Sequence, residues 1–198
     1  MGADPLPFAT MSADVLEAAF AQAAGVLETV SREQMDLPTP CTSWKVRDVV
    51  NHLVGGPRYF AVTAETGTAP AQGEMTDFAR GDYRTEFAAG AARAVAAFRA
   101  EGAMDKTMTL PFGELPGSRF VLIASTDAFV HAWDLAKATG QPTDLDPELA
   151  TRLLEFARVA IPDAFRGPDG KAPFGPAVSI DESAPAADRL AAFMGRQP

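Results

Sequence analysis

A chain of 198 residues with 47% apolar residues can bury a core of its own without staples. Its net charge of -9 supplies no basic face for a nucleic-acid backbone or an anionic membrane surface. No run approaches the ~20 apolar residues of a membrane span, the opening MGADPLPFATMS lacks the pattern of a signal peptide, and a single cysteine, Cys41, fits a reducing cytoplasm.

The first helix is predicted from an N-cap at Ser12 to about Val30, with Val15, Ala18, Ala19, Gln22, Val26 and Val30 at helical spacing. DLPTPCTS breaks the chain. A second helix is expected near Trp44, capped by Ser43, with Val46, Val49, Val50, Leu53 and Val54 on its apolar face. Pro57 should kink or end it, yet the pattern continues to a natural stop at Gly67. A long polar connection, TAPAQGEMTDFARGD, leads to a third helix that stops at Gly102. TMTLPFGELPGS is expected as a loop with a short extended piece, followed by a fourth helix from a cap at Ser118 to Gly140. Asp146 and Pro147 open a fifth helix, and a Pro- and Gly-rich stretch precedes a short last one, AADRLAAFMG. Strand signal is weak throughout, so the fold class is all-α. One domain over 1–198 is expected, with 165–198 a C-terminal loop and short helix packed on it.

The chemistry concentrates on the only two histidines. His131 follows Asp127 by four residues, and His52 follows Asp48 by four. Residues at that spacing lie on one helix face, roughly 6 Å apart along the axis. Asp127 and His131 can therefore reach a common point, and His52 is the natural third ligand on a facing helix. Two histidines and one carboxylate leave open positions on a metal, which catalysis requires. The same spacing also serves a plain hydrogen bond on a helix surface, and spacing alone does not decide between the two.

The segments PTPCTSWKVRDVVNHLVGG, TDAFVHAWDLAKATGQ and FGPAVSIDESAPAADRLAAFMGRQP resemble the DinB/maleylpyruvate isomerase-like superfamily. More closely they resemble the mycothiol-dependent maleylpyruvate isomerase type of actinobacteria. That resemblance implies a four-helix bundle in up-down-down-up order with additional C-terminal helices. It implies a divalent metal held by His52, Asp127 and His131, with Asp127 standing where maleylpyruvate isomerases use Glu and other members use His. It also implies a low-molecular-weight thiol such as mycothiol, a small electrophilic substrate, and a homodimer as a common assembly. Zinc suits a thiolate best; iron, nickel and manganese are the alternatives. The expected activity is S-transfer or isomerisation. A metal-dependent hydrolase with Asp48 or Asp134 as base and a non-catalytic metal-binding or stress protein are the competing readings. The chain is expected to lack the extra C-terminal domain of the full maleylpyruvate isomerase, so the resemblance does not extend to that exact substrate.

Other residues carry weaker readings. Asp48 could orient His52 but is expected to face solvent at a helix N-terminus. Asp134 could touch the site or pair with Lys137 or Arg152 on the surface. Cys41 precedes a helix and could be a nucleophile, but is expected as a buried small hydrophobe. Arg58 could meet an anionic substrate or face solvent. Asn51 is expected in helix packing, Trp44 and Trp133 in the core or a pocket wall, and LPFG and APFG over a core seam.

Overall fold

The computed structural model describes residues 12–71, 76–168, 171–172 and 174–198. The opening segment 1–11, part of the polar connection at 72–75 and Pro173 of APFG lie outside them. Six helices and one hairpin are assigned among the described residues: α1 (Ala13–Thr29), α2 (Val46–Thr66), α3 (Tyr83–Arg99), β1 (Thr107–Leu110), β2 (Gly113–Pro116), α4 (Gly117–Thr139), α5 (Pro147–Ala160) and α6 (Ala186–Phe193). The mostly helical architecture is the one expected.

Helix ends follow local chemistry. The Ser12 hydroxyl accepts the Asp14 amide, and Asp146 accepts the amides of Glu148 and Leu149 ahead of Pro147. Gly67 and Gly140 end α2 and α4 in the left-handed region. Two expected caps are wrong. Lys45, not Ser43, precedes α2, because a bridge to Pro38 keeps Lys45 extended, and its amide donates to Asp48 Oδ2. Ser118 does not cap α4, which begins at Gly117. There the amides of Gly117 and Ser118 donate to the carbonyls of Lys106 and Met104, so the first free donors of the helix are met by backbone. A Cβ at Gly117 would run into the Ala103 carbonyl.

The extended piece is a hairpin. Thr107 pairs with Pro116 and Leu110 with Gly113, and Met108 and Leu110 turn inward. Thr109 also pairs with the chain at Gly67 and Ala69, which ties the hairpin to the end of α2. Of LPFG, Leu110 joins the core, while Phe112 at the tip is 69% exposed because two residues of turn cannot fold the ring back. Phe174 of APFG does pack against the core.

α1 packs on α3 and α4, and α2 packs on the same two, so the four longest helices close a ring α1–α4–α2–α3. α5 and α6 pack on each other and on α4. Buried residues of all six helices form one apolar cluster, including Leu16, Leu53, Phe87, Phe129, Leu153 and Leu190. α2 runs through Pro57 without ending, because the lost hydrogen bond is offset by tight packing. Gly90 of α3 faces the proline so closely that a Cβ there would lie 3.3 Å from Pro57 Cβ.

α4 is the central element for function. From Ala124 to Ala136 every residue is buried except Asp127. A helix buried on all sides can hold polar groups only if each has a partner. The partners of Asp127, His131 and Asp134 therefore define the site.

A candidate metal centre between α2 and α4

His52 on α2 and Asp127 and His131 on α4 meet where the two helices pack. His52 Nε2 lies 3.1 Å from Asp127 Oδ1 and 3.0 Å from Oδ2. His131 Nε2 lies 3.8 Å from Asp127 Oδ1. The three potential ligand atoms are all within 4.8 Å of one another. A tetrahedral ion with ligand bonds of 2.0–2.1 Å separates its ligand atoms by about 3.3 Å. The observed distances bracket that spacing, so the donor set fits a small divalent cation with modest adjustment.

The imidazoles are fixed by their surroundings. Trp44, just before α2, stacks on His131 with ring centres 5.2 Å apart and an 18° tilt, and touches His52 at 5.0 Å. Trp44 is thus a wall of the site. On its far side, His131 Nδ1 lies 3.0 Å from Asp134 Oδ2. Asp134 is fully buried. Arg196 grips it with two bonds, Nε to Oδ1 at 3.2 Å and Nη2 to Oδ2 at 2.8 Å. With Asp134 as acceptor, the His131 proton sits on Nδ1, and Nε2 presents its lone pair toward His52 and Asp127.

Charge follows the same geometry. Burial would raise the Asp127 pKa, but His52 outweighs it, with His131 and Arg196 adding to the effect, and the carboxyl is held at about 2. Burial would lower the His52 pKa, but the Asp127 charge and hydrogen bond raise it above the ordinary value. For Asp134, burial is likewise overcome by His131 and Arg196, and its pKa is lowered. The centre is open on one side only: the His52 and Asp127 side chains are 31% and 28% exposed, that of His131 10%.

A second set of donors, Cys41, His131 and Asp134, also clusters here. It is a poor cation site, because the guanidinium of Arg196 already occupies both oxygens of Asp134. The three residues singled out from spacing, His52, Asp127 and His131, are together. Asp48 is not with them; its carboxylate caps α2. Asp134 pairs with neither Lys137 nor Arg152 but with His131 and Arg196. Arg58 pairs with Glu86 and lies over the Phe78 ring. Asn51 accepts the Ala79 amide and donates to Asp77, pinning the connection between α2 and α3. Arg196 is the residue that sequence reasoning missed; it lies 62 positions beyond Asp134, and no periodicity links the two.

No helix among the described residues is long and apolar enough to cross a membrane. Two uncharacterized proteins of Mycobacterium tuberculosis, from strains CDC 1551 / Oshkosh and ATCC 25618 / H37Rv, are each 43% identical over 174 residues. The match covers 87% of this chain and 91% of theirs. The fold is similar to the crystal structure of the mycothiol-dependent maleylpyruvate isomerase, with a TM-score of 0.58 and 20% identity over 75% of this chain and 68% of that one. A histidine-to-alanine mutant of that isomerase gives a TM-score of 0.55 at 19% identity, with the same coverage. Residues 16–136 match the mycothiol maleylpyruvate isomerase N-terminal domain, and the chain belongs to that family.

Proposed function

We propose that the chain is a divalent-metal-dependent enzyme of thiol chemistry: a transferase that joins a small thiol of the mycothiol kind to a small electrophile, or an isomerase to whose substrate that thiol adds and from which it leaves again. The observation that carries this reading is the convergence of His52, Asp127 and His131, with the His131 Nδ1 proton held by a buried carboxylate. The family name supports the thiol. A divalent ion with an open position would supply Lewis acidity that lowers the pKa of a bound thiol. Zinc is the ion proposed, since it combines affinity for thiolate with tolerance of a two-histidine, one-carboxylate set.

The residues divide the work. His131 and Asp127 present donors from one face of α4. His52 brings the third from α2 and gives up its proton to do so, because an imidazolium cannot ligate. The half-exposed edge formed by His52 and Asp127 is where thiol and electrophile enter. Trp44 lies against both imidazoles, and the His131 side chain is left only 10% exposed. The hydrolase reading requires a free carboxylate as base. Asp48 is spent on a helix cap and Asp134 on His131 and Arg196, so thiol chemistry is favoured over it.

The test is the metal content of protein purified without a histidine tag, beside His52→Ala and His131→Ala. Near-stoichiometric metal in the parent, lost in both variants, is expected, and the ion found fixes its identity. A screen of small thiols against electrophiles then separates thiol-dependent turnover from hydrolysis, which proceeds without thiol. A parent chain that takes up no zinc, iron, nickel or manganese sinks the proposal.

A further inference from the structure

Two successive residues of α4 are gripped by the C-terminal segment. Trp133 Nε1 donates to Asp188 Oδ1 of α6 at 2.8 Å, and Asp134 receives the fork of Arg196. The route to that fork is built into the end of α6. The Gly195 amide donates to Ala192 and the Arg196 amide to Ala191, with Gly195 at φ 89°, a Schellman ending that turns the chain back toward α4. A Cβ on Gly195 would lie 2.9 Å from Gly175 Cα, so this turn has no room for another residue. The Arg196 side chain is only 13% exposed, and its Nη1 donates to the Met194 carbonyl.

Oδ2 of Asp134 is shared: it faces His131 Nδ1 at 3.0 Å and Arg196 Nη2 at 2.8 Å. A carboxylate held by one imidazole can rotate about its Cβ–Cγ bond. A carboxylate held by a planar two-point fork cannot do so without breaking a bond. We propose that Arg196 is a positioning residue of the metal centre: by locking the Asp134 carboxylate it fixes the orientation of His131, with the proton on Nδ1 and the lone pair of Nε2 aimed at His52 and Asp127. This rests on the metal reading of those three residues. It makes the segment after α6 part of the centre, although Arg196 is itself no ligand.

Arg196→Met keeps the aliphatic stem and removes the fork, while the backbone bonds of the Schellman turn remain. Two readouts are compared with the parent and with Arg196→Lys, which restores the charge but not the fork. The first is the ring nitrogen spectrum of His131 in metal-free protein, at a pH where the imidazoles are neutral. The second is zinc affinity by competition with a chelator. The parent is expected to show a single Nδ1–H tautomer. Arg196→Met should show mixed tautomers and bind zinc roughly tenfold more weakly, the scale on which partners of metal-ligating histidines act, with Arg196→Lys in between. A folded Arg196→Met with the parent's nitrogen spectrum and zinc affinity overturns the proposal. If Arg196→Met fails to fold, Arg196→Lys decides on the same two readouts, a parent-like result again overturning it. If the parent itself takes up none of zinc, iron, nickel and manganese, the metal reading falls, and the nitrogen spectra alone decide the role of Arg196.

Discussion

Asp127 and Asp134 stand on the same helix, four residues before and three after the same histidine, yet they occupy opposite kinds of environment. Asp127 is 28% exposed and is approached by two imidazoles. Asp134 is completely buried, and an imidazole and a guanidinium engage both its oxygens. A buried carboxylate whose charge is fully matched is a structural fixture, because any exchange of partner leaves a charge stranded in low dielectric. A carboxylate at the edge of solvent, bonded to a single imidazole that can give up its proton, has room to change partners. Under the proposed function, the two sides of His131 separate the fixed half of the centre from the half that would bind.

Several substitutions test that contrast. The largest expected effect is on occupancy: His131→Ala or Asp127→Ala should abolish stoichiometric metal by elemental analysis, leaving the helical circular dichroism spectrum intact. Next is stability of the metal-free chain. Asp134→Ala strands Arg196 and should cost about 3–5 kcal/mol in denaturant unfolding, whereas Asp127→Ala should cost about 1–2 kcal/mol. Equal costs would erase the distinction drawn here.

A pH series sharpens it further. The Asp127 pKa falls from 3.8 to about 2 on folding, so its stabilisation is complete above 3.8 and is lost as pH drops toward 2. The His52 pKa is raised from 6.5, so its contribution is complete below 6.5 and is lost as pH climbs through the raised value. The pair therefore stabilises metal-free protein most between these limits. Asp127→Asn should flatten both limbs, the acid one by about 2 kcal/mol. Zinc affinity should run the other way, rising with pH as His52 sheds its proton. The smallest effect is expected of Asp48→Ala, about 0.5–1 kcal/mol from a lost cap, with metal content unchanged.

Much of this was legible in the sequence because it is local. Ser12, Asp146, Pro147, Gly67 and Gly140 act on neighbours within a few residues, and each ends a helix as its chemistry dictates. The i, i+4 spacing of Asp127 and His131 is likewise a local fact. Ser43 and Ser118 misled because backbone carbonyls and a strand bridge did the work a hydroxyl could have done. The hairpin escaped because two four-residue strands are too short for alternation to stand out. For Asp134 the sequence offers Lys137 and Arg152 as surface partners. Its real partner arrives through the turn after α6, and only the packing of α6 on α4 makes that contact.

The bond between His52 and Asp127 spans 75 residues of chain. It closes that long loop through side chains and adds a polar tie to the packing of α2 on α4. Under the proposed function, the same two side chains would hold the cation, so proton and metal would compete for one pair.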